Sequence, residues 1–274
     1  MPDAPIQRLF IADAHLDGTD TPRALALRAM LERLAANQGP LRTELYILGD
    51  LFEFWEEYHG QVAQLYEKDL AAFEAAARTG VQINLLAGNR DFLYGHYVKK
   101  RLNAVLWGDG GVVTLSDSRK AWIEHGDLLC TADTRYLRFR WLIRSWPVRL
   151  YFRLKSWDSA RSMLERIAQK TKEDKAQKDT ATFDIDPTAA RARLETHGCR
   201  LLLCGHTHKP QATDVGHALR LIVLPAWCDT HAGYRDQDGA LAPFWVPSDG
   251  ALHRADEKGV PRHEASDLKR KMWF

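Results

Sequence analysis

Gly205-His206-Thr207-His208 places two histidines two apart in a short polar segment. Held in a tight loop, two imidazoles can offer their lone pairs to a common cation region. A solvated loop with capping histidines would read the same way. Four further clusters share this chemistry: Asp13-Ala14-His15, Gly49-Asp50, Gly88-Asn89-Arg90-Asp91 and His125-Gly126-Asp127. Each is weak alone, because an Asp and a His two apart recur by chance. The ordered set of five is not weak, because every cluster follows an apolar run. Its carboxylate, amide and imidazole donors include no thiolate. That set suits Mn²⁺, Mg²⁺, Fe or Zn²⁺ in a reactive site more than a structural zinc, which favours cysteine.

The runs that precede the clusters cover residues 9–12, 45–48, 81–87, 120–124 and 200–204. Apolar stretches of this length, stopped by glycine and turn formers, predict buried strands. Between them lie helical patterns. The first covers 21–37, with Thr21 as N-cap and Pro22 in the first turn, and the second covers 61–78, stopped by Gly80. A third covers 187–197, with Asp186 as cap and Gly198 as stop. Strands alternating with helices predict an α/β fold. Ligands in such folds gather at the C-terminal ends of the strands, so the five clusters are expected to converge.

The pattern lapses between about 133 and 184. Residues 135–172 carry eleven basic and two acidic side chains, together with Tyr136, Phe139, Trp141, Trp146, Tyr151, Phe152 and Trp157. We read this as a helical cap insertion, broken at Pro147, within a single catalytic domain spanning 1–274. Aromatics at helical spacing also suit an ordinary core, and arginines a solvated face. The whole chain has a net charge of only +2, so its composition does not suggest a nucleic-acid partner. Cys130, Cys199, Cys204 and Cys228 show no paired spacing and read as reduced thiols in a core. No window approaches the roughly 18 apolar residues that span a bilayer, so the expectation is a cytoplasmic, non-spanning protein.

In their order, the five clusters resemble the signature of the calcineurin-like metallophosphoesterases: Asp-X-His, Gly-Asp, Gly-Asn-His-Asp/Glu, His, and Gly-His-X-His. The resemblance runs from about residue 9 to 209. It implies an αββα sandwich and two divalent ions, with Mn²⁺ the expected species. Asp13, His15, Asp50 and His208 would hold one ion, and Asp50, Asn89, His125 and His206 the other. Such a pair activates water and clamps the attacking and leaving oxygens of an in-line displacement at phosphorus. One departure points to a narrower family: Arg90 stands where most members have histidine, suited to hold a non-bridging phosphate oxygen. Asp50, Asn89 and Arg90 are thus the candidate catalytic residues. Asp91 and Asp127 are candidates to orient ligand imidazoles or to close turns.

Longer stretches are similar to the UDP-2,3-diacylglucosamine pyrophosphatases of the lipid A pathway. They are residues 45–53, 88–93, 125–131 and 205–210, with Tyr136 and Phe139-Arg140 at the family's spacing. This resemblance implies hydrolysis of a nucleotide-sugar lipid to UMP and 2,3-diacylglucosamine 1-phosphate, at the cytoplasmic face of the inner membrane. Another nucleotide diphosphate or phosphodiester is the alternative substrate. Arg90, Asp133, Tyr136, Thr171 and Lys178 are the implied substrate-binding residues, and Trp141, Trp146, Tyr151 and Phe152 candidates for an acyl-chain lining. The chain departs from that family at Phe54-Trp55-Glu56-Glu57-Tyr58-His59, where an acidic cluster is usual, and at Ala132, where an aspartate is usual.

Overall fold

The computed structural model describes residues 5–37, 39–163, 166 and 184–262. Side-chain alternation along the strands decides the layers. Leu9 and Ile11 of β1 (Ile6–Ile11) and Leu45 and Ile47 of β2 (Arg42–Ile47) face one core, while Phe10 and Tyr46 face another. The period of two thus buries both faces of one sheet. β3 (Gln82–Leu85) and β4 (Val105–Leu106) extend this sheet in parallel. β10 (Ala232–Gln237), β11 (Ala240–Trp245) and β12 (His253–Arg254) extend its other side antiparallel, giving the order β12-β11-β10-β1-β2-β3-β4.

Strand–helix alternation alone does not announce a second sheet. It begins where β5 (Gly110–Thr114) pairs antiparallel with β6 (Lys120–Glu124) rather than with β4. β7 (Leu201–Cys204), β9 (Arg220–Val223) and β8 (Gln211–Asp214) complete the order β5-β6-β7-β9-β8, with β6, β7 and β9 parallel. Phe10, Tyr46 and Leu48 meet Ile123, Leu201 and Leu203 between the sheets. Helices α1 (Pro22–Ala36) and α3 (Glu67–Arg78) cover the larger sheet, and the Pro187–His197 helix covers the smaller. The result is the αββα sandwich.

The 187–197 helix follows its local signals. Asp186 accepts from the Thr188 N–H, and Gly198 ends the helix at a φ of 62°. Thr21 occupies the N-cap of α1, but its hydroxyl makes no capping bond. The expected helix 61–78 is interrupted at Tyr66, dividing α2 (Gln61–Leu65) from α3. Tyr66 is fully buried, its ring 4.5 Å from that of Phe52, and this packing overrides helical continuity. The β10–β11 hairpin was not read from the sequence, although Asp238-Gly239 in its two-residue turn is a standard signal.

In the insertion, α5 (Thr134–Ile143) and α6 (Trp146–Leu154) are separated just before Pro147, and residues 157–163 are helical again. Two of the insertion's arginines are committed to anchoring α5. Arg140 donates to Asp127 at 2.7 Å and to Asp109 at 2.6 Å. Arg144 donates to Asp109 at 2.5 Å and to the Gly88 carbonyl at 2.7 Å. Phe152 is 1% exposed within the main core, so it does not present an open lipid lining. Thr171, Lys178 and the basic tail 269–274 lie outside the described residues. Among the described residues, no helix is long and apolar enough to cross a membrane.

Candidate metal centre

Three of the five clusters leave the larger sheet after β1, β2 and β3, and two leave the smaller after β6 and β7. The sandwich brings them to one seam. Asp13, His15, Asp50, His206 and His208 all adopt positive φ, between 46° and 73°. Non-glycine residues pay for that conformation in strain, which concentrates at functional sites. The motif glycines answer to close approach. A Cβ on Gly88 would strike the Asp50 carboxylate, and one on Gly205 would strike that of Asp13.

Two groups of donor atoms result. His125 Nε2, His206 Nδ1 and Asn89 Oδ1 form a triangle with sides of 3.0, 3.1 and 3.1 Å. On the other side, His15 Nε2 lies 3.3 Å from His208 Nε2, which is 3.7 Å from Asp13 Oδ1. Asp50 Oδ2 stands between the groups, 3.7 Å from His125 Nε2 and 3.9 Å from His15 Nε2. All seven expected ligands therefore meet.

The protons favour a cation here. The Leu48 carbonyl lies 2.8 Å from His125 Nδ1 and can only accept, so Nδ1 carries a hydrogen and Nε2 is the nitrogen turned into the triangle. Asp229 Oδ2, 3.1 Å from His208 Nδ1, does the same for that ring. Asp13 Oδ1 is buried without a hydrogen-bond partner. Burial alone would push the Asp50 carboxyl up, but His125, His15 and Arg90 hold it well below the usual range, so it stays ionised. Converging lone pairs, a bare buried carboxylate oxygen and an ionised aspartate fit divalent ions.

The flanking residues divide. Arg90 donates through its backbone to Asp50 Oδ1 at 2.9 Å, and its guanidinium pairs with Glu53. Asp91 does not touch an imidazole. It accepts from the backbone N–H groups of Asp50, Leu51, Phe52 and Gly88 and from the Tyr94 hydroxyl, tying the loops after β2 and β3 together. Asp127 accepts from Tyr136 Oη at 2.6 Å and from Arg140. Although burial opposes it, the charges of His125 and Arg140 bring its carboxyl down to about 2. The Tyr136 ring lies 6.2 Å from that of His206. Asp133 caps α5 by accepting from the Tyr136 N–H at 3.1 Å.

Two contributors escaped the sequence reading. Glu53 belongs to a quoted stretch, but nothing in its spacing announces the pairing with Arg90. Asp229 lies in the short turn Trp227–Thr230, whose backbone reaches the Asp13 loop through Trp227 N–H to Ala12 O and Cys228 N–H to Asp13 O. Only the folded seam brings Asp229 beside His208.

A family model for calcineurin-like phosphoesterases matches residues 6–210. A UDP-2,3-diacylglucosamine hydrolase from Aeromonas hydrophila subsp. hydrophila is 35% identical over 229 residues, covering 80% of this chain and 90% of that protein. One from Aromatoleum aromaticum is 34% identical over 241 residues, covering 86% and 94%. Among solved structures, a dimetal phosphatase from Danio rerio aligns with a TM-score of 0.47 at 12% identity, over 90% of this chain and 97% of that one. With three quarters of its length inside the family model, the chain belongs to the calcineurin-like phosphoesterases.

Proposed function

We propose that this protein is a metal-dependent hydrolase that cleaves the diphosphate of UDP-2,3-diacylglucosamine to UMP and 2,3-diacylglucosamine 1-phosphate, a step of lipid A biosynthesis. The carrying observation is its identity of about 35%, across most of its length, to several proteins named UDP-2,3-diacylglucosamine hydrolase. Asp13, His15, Asp50 and His208 hold one divalent ion, and Asp50, Asn89, His125 and His206 hold the second, with Mn²⁺ as the preferred species. When bound, the ions supply Lewis acidity at the phosphoryl oxygens and activate the attacking water. Arg90, steadied by Glu53, faces the diphosphate as a fixed positive charge. Asp133 and Tyr136, at the start of α5, line the approach to the ions, and Thr171 and Lys178 complete the substrate-binding set.

We read 1–274 as one domain whose cap, at about 133–184, meets the lipid portion of the substrate. Trp141, Trp146 and Leu154 are 77%, 75% and 76% exposed on α5 and α6, beside the exposed Arg138, Arg149 and Arg153. Large apolar side chains interleaved with arginines suit the interface of an anionic bilayer. This supports peripheral contact with the inner membrane from the cytoplasmic side.

The test is hydrolysis of UDP-2,3-diacylglucosamine in Mn²⁺ and detergent, beside bis-p-nitrophenyl phosphate. Release of UMP, lost in Asp50→Asn with the fold intact, is the expected result. Turnover of the generic ester alone would retain a phosphoesterase but reject the lipid substrate.

A further inference from the structure

Cys228 breaks with the other three cysteines. Cys130, Cys199 and Cys204 are buried, whereas Cys228 is half-buried beside the metal centre. Its Sγ lies 3.8 Å from His208 Nδ1 and 3.4 Å from Asp229 Oδ1. One donor atom each from His15, His208 and Cys228 fall within 4.8 Å of one another. The unpartnered Asp13 Oδ1, 1% exposed as a side chain, faces the same cluster from 3.7 Å. Nothing in the hydrolytic arrangement uses the thiol.

We propose that His15, His208 and Cys228 form a capture site for a thiophilic divalent ion, Zn²⁺ or Cd²⁺, which competes with the hard ion that supports hydrolysis. Two imidazole nitrogens 3.3 Å apart stand at the spacing imposed by a tetrahedral ion with bonds of about 2.0–2.1 Å. The Cys228 thiolate, within 4.8 Å of those ligand atoms, would close on the ion by side-chain rotation to the roughly 2.3 Å of a zinc–thiolate bond. The thiol gives its proton to solvent as the metal–sulfur bond forms, so no redox partner is needed. A thiolate discriminates strongly for Zn²⁺ and Cd²⁺ over Mn²⁺ and Mg²⁺, whereas the carboxylates of the centre discriminate weakly. An ion drawn toward Cys228 is drawn away from Asp50, the residue that faces both donor groups. The site therefore inhibits.

The inference rests on the metal-centre reading only through His15 and His208, and its main readout needs no substrate. Cadmium is titrated into the chelator-treated protein while the ultraviolet sulfur-to-cadmium charge-transfer band is recorded. One equivalent should saturate the band in the native chain, and Cys228→Ser and Cys228→Ala, checked for folding by thermal melting, should lack it. In parallel, the Zn²⁺ concentration that halves Mn²⁺-supported turnover of bis-p-nitrophenyl phosphate should rise at least about tenfold in Cys228→Ser. A band that survives both substitutions, or that is absent from the native chain, overturns the proposal. So does an unchanged Zn²⁺ response. Failure to cleave the lipid substrate would remove the proposed function and leave the cadmium result standing.

Discussion

Asp229 shows how a residue with no motif around it can govern one that has a motif. It accepts from His208 Nδ1 at 3.1 Å and so fixes which nitrogen of that ring faces the centre. Outer partners of this kind are worth about 10–100-fold in metal affinity or activity. Asp229→Asn is therefore expected to weaken Mn²⁺ binding by about that factor, measured by calorimetric titration, with little change in the melting temperature of the metal-free protein. The seven donors were legible because each sits in a short polar cluster at the end of an apolar run. Asp229 and Glu53 were not, because their partners lie in distant segments and their own neighbours carry no pattern. Asp91 was legible as important but not in its role. In sequence it lies two residues from Asn89, a proposed ligand, but in space it gathers four backbone N–H groups of two loops.

At the scale of elements, the unusual stretch Glu56-Glu57-Tyr58-His59 acquires two structural tasks. Glu57 accepts from the N–H groups of Gly95, Tyr97 and Val98, serving as a remote cap for α4 (His96–Arg101). His59 lies between the Glu56 carboxylate at 2.9 Å and the Lys155 carbonyl at 2.8 Å, just past the end of α6. Both partners only accept, so both ring nitrogens donate and the ring is cationic. Burial disfavours that charge, but Lys155 and Glu56 outweigh it and raise the pKa above 6.5. Because the folded state binds this proton more tightly than the unfolded chain, the contribution is full below about pH 6.5 and is lost as pH rises through the folded value. Limited proteolysis of residues 144–160 should be faster at about pH 8.5 than at about pH 6. In His59→Gln the pH dependence should largely vanish. An identical dependence in both proteins would mean that His59 does not hold the cap.

For the whole molecule, strand periodicity announced an α/β class. It did not reveal the division into two sheets or the antiparallel strands after residue 210, because pairing between distant segments leaves no local period. The exposed face of the cap was legible in composition, but only the structure separates Trp141 and Trp146 at the surface from Phe152 in the core. Replacing both surface tryptophans with serine should weaken partition onto anionic vesicles by about tenfold or more, given the apolar area each withdraws from water. Cosedimentation would measure this, and unchanged partition would remove these tryptophans from the proposed membrane contact.

The seam between the sheets has a mechanical consequence. Asp13, His15, Asp50 and Asn89 follow strands of one sheet, and His125, His206 and His208 strands of the other, so an ion held as proposed would also act as a fastener. At about 100 times its dissociation constant, a bound ion adds about 2.7 kcal/mol to folding stability. For a chain of this size that corresponds to melting about 5–10 °C higher. Chelation should lower the melting temperature by this much, read by calorimetry, and refilling with Mn²⁺ should restore it. Amides in the loops after β1 and β7 should exchange fastest once the ions are gone. A cell short of metal would then lose more than turnover: its enzyme would come unlatched along the line where the two sheets meet.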